Sequence, residues 1–77
     1  MNLKQYQNII IDSNLTRIMK GRIGAKTTHQ NLISEVAKQI DLFNAQPPMI
    51  KERIEALIEK GILKRSDNDQ NLYEYIS

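Results

Sequence analysis

GILKRSDNDQNLYEYIS, residues 61–77, is the stretch whose reading decides the fold. The helical period of the preceding residues stops here. ILKR (62–65) and LYEYI (72–76) are short extended segments. SDNDQN (66–71) between them is a cluster of turn-forming polar residues. The pattern predicts a β-hairpin. A two-stranded hairpin is marginal alone in water, so this one must pack on the elements before it.

Working back from Gly61, NAQPPMIKERIEALIEKG reads as a helix over about 48–60. Pro47 and Pro48 suit the turn and the first helical position, where a missing N–H costs nothing. Ile50, Ile54, Leu57 and Ile58 recur at helical spacing, and Gly61 is the stop. TTHQNLISEVAKQIDLF gives another helix. Thr27 and Gln30 form its expected capping box, and Leu32, Ile33, Val36, Ala37 and Ile40 form its buried stripe. A first helix spans roughly Leu3 to Arg22, weakened and ended by Gly21 and Gly24. Three helices followed by a β-hairpin wing is the winged-helix order, an α+β fold. A short strand around Lys26–Thr28 would complete the sheet. Length and the lack of any linker or repeat predict one domain over 1–77.

The chemistry open to this chain is narrow. It has no cysteine, which removes disulfides, zinc fingers and thiol nucleophiles; a reducing compartment is compatible. The single histidine, His29, stands in the capping turn of the second helix without a second histidine or cysteine to work with. Glu52, Glu55 and Glu59 alternate with Lys51, Arg53 and Lys60, a solvated face laced with ion pairs. Asp67, Asn68 and Asp69 lack the longer ligand series of a calcium loop. No metal site and no cofactor is expected. No apolar run approaches the roughly 20 residues of a membrane span. The opening MNLKQYQNII lacks the basic and apolar regions of a signal peptide.

Charge is placed unevenly within the net +2. Lys4, Arg17, Lys20, Arg22 and Lys26 face only Asp12 in residues 1–26, while the rest of the chain is net acidic. A basic first third fits an acidic partner. On the first helix, Ile10, Ile11, Leu15, Ile18 and Met19 share one arc, and Ser13, Thr16, Arg17 and Lys20 lie opposite. Lys20 therefore points to water. A cation in the last turn gains roughly 0.3–1 kcal/mol from the helix dipole. On the residues alone, that ordinary role suffices for Lys20.

DNA binding is the default expectation for a winged helix, whose last helix enters the major groove. Here that helix balances acids against bases, whereas phosphate neutralisation needs a basic surplus. Nucleic-acid binding through Lys51, Arg53, Lys64 and Arg65 is the alternative reading, with DNA an unfavoured partner. A purely structural adaptor is a third.

Four stretches in order along the chain resemble the winged-helix (neddylation) domain at the C-terminal end of cullins, the scaffolds of multisubunit ubiquitin ligases. IDSNLTRIMKGR (11–22) is similar to I-D-x-x-I-V-R-I-M-K-x-R, with Ile11, Asp12, Arg17, Ile18, Met19, Lys20 and Arg22 in place. HQNLISEV (29–36) resembles H-x-x-L-V-S-E-V, and IKERIEALIEKGILKR (50–65) resembles I-K-K-R-I-E-x-L-I-x-x-x-Y-[LM]-x-R. YEYIS (73–77) is like the closing Y-x-Y-[LV]-A. Gly21, the longer segment GAKTT, Ser13 and Asn14 for alanines, and Gly61-Ile62 mark a divergent member.

The resemblance implies a piece of a larger, non-catalytic scaffold of SCF-type complexes, active in the cytoplasm and nucleus. It implies that Lys20 accepts a Nedd/Rub-type ubiquitin-like modifier through an isopeptide bond. It further implies as partners the E2 carrying that modifier, a RING subunit, a neddylation co-E3 and a signalosome deneddylase. Arg17, Arg22 and Lys26 would dock an acidic partner surface beside the acceptor. An ordinary lysine, of pKa about 10.4, is under about 0.1% neutral at pH 7, so the partners must supply most of the deprotonation.

Overall fold

The computed structural model describes residues 1–76. Ser77, the last residue of the closing motif, lies outside them. The element order is α1 (Leu3–Lys20), β1 (Thr27–Thr28), α2 (His29–Gln39), α3 (Pro47–Glu59), β2 (Leu63–Arg65) and β3 (Leu72–Tyr75). The sheet runs β1-β3-β2, antiparallel throughout. This is the winged helix that the hairpin implied.

The wing holds its register through the expected turn chemistry. Asp69 closes the tip, its side chain accepting from the Asn71 N–H at 2.9 Å and its carbonyl from Leu72 N–H at 3.1 Å. Tyr73 in the middle strand faces Thr27 on one side and Arg65 on the other. Its ring is buried against the helices, so the marginal hairpin gains an apolar anchor. Together Ile11, Leu15, Ile18, Met19, Leu32, Val36, Ile50, Ile54, Leu57, Leu63 and Tyr73 form one core. Each large side chain buried there contributes about 1.5–3 kcal/mol.

Gly61 ends α3 with φ +79°. Its N–H donates to the Ile58 carbonyl at 3.0 Å, and Ile62 N–H donates to Leu57 at 2.9 Å. That paired closure is the Schellman turn, and the left-handed backbone in it favours glycine.

Several boundaries differ from expectation. α1 stops at Lys20 rather than Arg22, because Gly21 already caps it, donating to the Arg17 carbonyl. α3 begins at Pro47 and ends at Glu59, one residue earlier at each end than expected. The α2 cap is Thr28, not Thr27: the Thr28 side chain accepts from Asn31 N–H at 3.1 Å. Thr27 is instead drawn into the sheet opposite Tyr73 and buried. The capping box stands at α1, where Asn2 and Gln5 each accept from the other's backbone N–H, at 2.8 and 3.1 Å.

Candidate functional site

The last turn of α1 is built on two buried side chains. Ile18 is 8% exposed and Met19 fully buried, and they fix the helix end against the core. Lys20, the next residue, points outward and is exposed. Beyond it the chain turns sharply. Arg22 N–H donates to the Met19 carbonyl at 3.0 Å, and Ala25 N–H to Arg22 at 2.9 Å. Gly24 takes φ +86° in that second turn, a conformation that favours glycine. The amine of Lys20 thus sits on a firm element with a tight loop behind it.

The neighbouring cations are held differently. Arg17, one turn back, donates to Asn14 Oδ1 at 2.6 Å and to Gln39 Oε1 at 2.9 Å while its residue stays exposed. Asn14 is itself buried and donates to the Ile10 carbonyl at 2.9 Å. Arg22 grips both Glu35 oxygens on α2, at 2.8 and 2.7 Å, and reaches Thr27 Oγ1 at 3.5 Å. Its charge is matched inside the domain, where it ties the loop after α1 to α2. Lys26 is exposed immediately before β1, at the end of that loop. Arg17 and Lys20 therefore share one helical turn, with Arg22 at its exit and Lys26 beyond it.

Beside Arg17 and Lys20 an open groove of about 490 Å³ runs between α1 and the end of α3. Asp12, Ser13, Thr16, Arg17 and Lys20 line it from α1, and Leu57, Lys60 and Ile62 from the other side. Lys60 joins this face through the crossing of the helices, which no spacing along the chain foretells.

Two of the four residues expected to meet nucleic acid are neutralised inside the domain. Arg53 donates Nε and Nη2 to the two Asp12 oxygens, both at 2.8 Å. Arg65 pairs with Glu55 and lies over the Tyr73 ring, 5.5 Å from its centroid. Both guanidiniums sit above their ordinary pKa range. Arg53 does so chiefly through the Asp12 hydrogen bond. For Arg65, burial pulls down but Tyr73 and Glu55 more than offset it. Only Lys51 and Lys64 of the four candidate residues stand outside these pairs among the described residues. His29 shares a 2.8 Å hydrogen bond with the Tyr73 hydroxyl, which ties the start of α2 to the wing.

Comparison with known proteins bears on this site. Residues 7–69 match the cullin protein neddylation domain. The chain is 44% identical over 68 residues to Cullin-3B of Arabidopsis thaliana, covering 87% of this chain and 9% of that one. It is 45% identical over 69 residues to Cullin-3 of Dictyostelium discoideum, again covering 87% and 9%. It thus spans under a tenth of the length of these curated relatives. Among solved structures it is similar, with TM-score 0.89 and 33% identity, to the Cdc53 WHB domain in a Dcn1–Cdc53 complex. That complex is described as a dual E3 mechanism for Rub1 ligation to Cdc53; the match covers 97% of this chain and 85% of that one.

Proposed function

The chain belongs to the cullin family, as its neddylation domain, and from that premise we propose that Lys20 is the acceptor of a Nedd/Rub-type ubiquitin-like modifier. The observation that carries this reading is the exposed amine of Lys20, held by buried Ile18 and Met19 at the end of α1. In the transfer, the deprotonated Lys20 amine attacks the thioester carbonyl between modifier and E2 cysteine. A C–N bond forms, the C–S bond breaks, and the cysteine leaves as thiolate. A base on the partners takes the proton. The domain contributes position: a nucleophile on a rigid helix end loses little freedom on approach, and misplacement by about 1 Å can cost on the order of 10²-fold in rate.

In this reading the domain is the regulatory part of a scaffold. The modifier frees the domain and the neighbouring RING subunit, favouring ubiquitin transfer by the RING-bound E2, and a signalosome protease reverses the attachment. The test is a conjugation reaction with the modifier, its E1 and E2, and the RING subunit, the adduct mapped by mass spectrometry. A single modifier on Lys20 is expected. A bare chain beside a modified reference cullin would overturn the reading.

Docking by the basic rim is part of the same proposal. Arg17 and Lys26 present charge to an acidic partner, while Arg22, bound to Glu35, shapes the loop between them. The double variant Arg17→Glu/Lys26→Glu is expected to slow conjugation about 10-fold at low salt. The gap should narrow as salt rises, since the Debye length falls from about 10 Å at 0.1 M to about 3 Å at 1 M. Equal rates for variant and wild type at low salt would remove the docking role.

A further inference from the structure

We infer that Lys60 is a second acceptor amine, reached from the same groove and used when Lys20 is blocked. The inference rests on the acceptor reading of Lys20. One observation sets Lys60 apart from the other lysines, and its exposure leaves the amine available. It lines the α1–α3 groove together with Lys20, whereas Lys4, Lys26, Lys38, Lys51 and Lys64 do not. It is exposed, and among the described residues no carboxylate pairs with it, while Lys4 leans toward Glu52 at 3.9 Å.

Its backbone is also fixed. The Lys60 N–H donates to the Ala56 carbonyl at 3.0 Å, and the closure at Gly61 and Ile62 locks the turn that follows. Lys60 thus repeats the arrangement of Lys20: an outward amine at a helix C-terminus, beside a turn that needs glycine. The two amines approach one groove from two helices. An E2 thioester seated over Lys20 has Lys60 as its other neighbour in that groove.

The chemistry is the same displacement. The neutral Lys60 amine attacks the thioester carbonyl, the amide C–N bond forms, the C–S bond breaks, and the E2 cysteine is released with the amine's proton passing to a partner base. Geometry sets the order of use. A complex that aims the thioester at Lys20 leaves Lys60 off the line of attack, and displacements on the ångström scale cost about 10²-fold.

The experiment is a rate comparison of the whole chain with E1, E2, RING subunit and modifier, with adduct sites read by mass spectrometry. Wild type is expected to carry the modifier on Lys20. Lys20→Arg is expected to carry it on Lys60, about 10²-fold more slowly, and Lys20→Arg/Lys60→Arg to carry none there. Circular dichroism checks that each variant is folded. If wild type is modified on Lys20 while Lys20→Arg stays bare to 10³-fold below that rate, or is modified elsewhere, the Lys60 assignment fails and the Lys20 reading stands. If wild type carries nothing on Lys20, both fail.

Discussion

Lys20→Arg is expected to lower conjugation of the modifier by about 10²-fold or more while leaving the melting temperature almost unchanged. The two readouts separate the two roles open to this residue. Arginine keeps the positive charge at the end of α1, and with it the roughly 0.3–1 kcal/mol of dipole stabilisation. Lys20 is exposed and away from the core, so the change should stay within about 0.5 kcal/mol. Arginine does not keep the nucleophile, because a guanidinium is not deprotonated in proteins. If Lys20 serves only the helix dipole, conjugation survives the substitution. If it is the acceptor, conjugation collapses in a chain that melts like wild type. Rate by gel or mass spectrometry, beside thermal unfolding, decides it.

The direction of Lys20 was legible because it is a local property. A helix repeats every 3.6 residues, so the apolar arc of Ile11, Leu15, Ile18 and Met19 places Lys20 on the far side without knowledge of the rest of the fold. The hairpin was legible for the same reason, as was the stop at Gly61. What the sequence withheld depends on packing. Arg22 and Glu35 lie 13 positions apart and Asp12 and Arg53 lie 41 apart, and no period links them. By sequence alone Arg22 therefore reads as a docking cation, while in the fold its guanidinium is matched by Glu35. Thr27 and Thr28 are equally good helix caps by composition. Pairing of Thr27 with Tyr73 in the sheet leaves the cap to Thr28. Asn14 breaks the apolar arc of α1, a signal the spacing itself carries. Its partners, the Ile10 carbonyl and Arg17, are within one turn, so its polar side chain is satisfied where it is buried.

Met19→Ala is expected to destabilise the domain by about 2–5 kcal/mol, the range for truncating a buried methionine. A chain of 77 residues has a total stability of only about 4–12 kcal/mol by the usual per-residue figure. At about 4–8 °C per kcal/mol for a domain of this size, a loss of about 3 kcal/mol lowers the melting temperature by roughly 12–24 °C. The position matters because Met19 directly precedes Lys20, the proposed acceptor, in the RIMK motif. A partner reading that motif by contact would need Met19 at the surface, yet it is 0% exposed. Its role is to seat the turn that aims Lys20. Met19→Leu, which nearly conserves volume, should cost less than about 1.5 kcal/mol. At a temperature where the chain is folded, it should conjugate at the wild-type rate. Thermal melts and conjugation rates for the two variants test this together. A Met19→Leu chain that melts normally but is not modified would mean that Met19 is read by a partner after all, and that the turn opens when the complex forms.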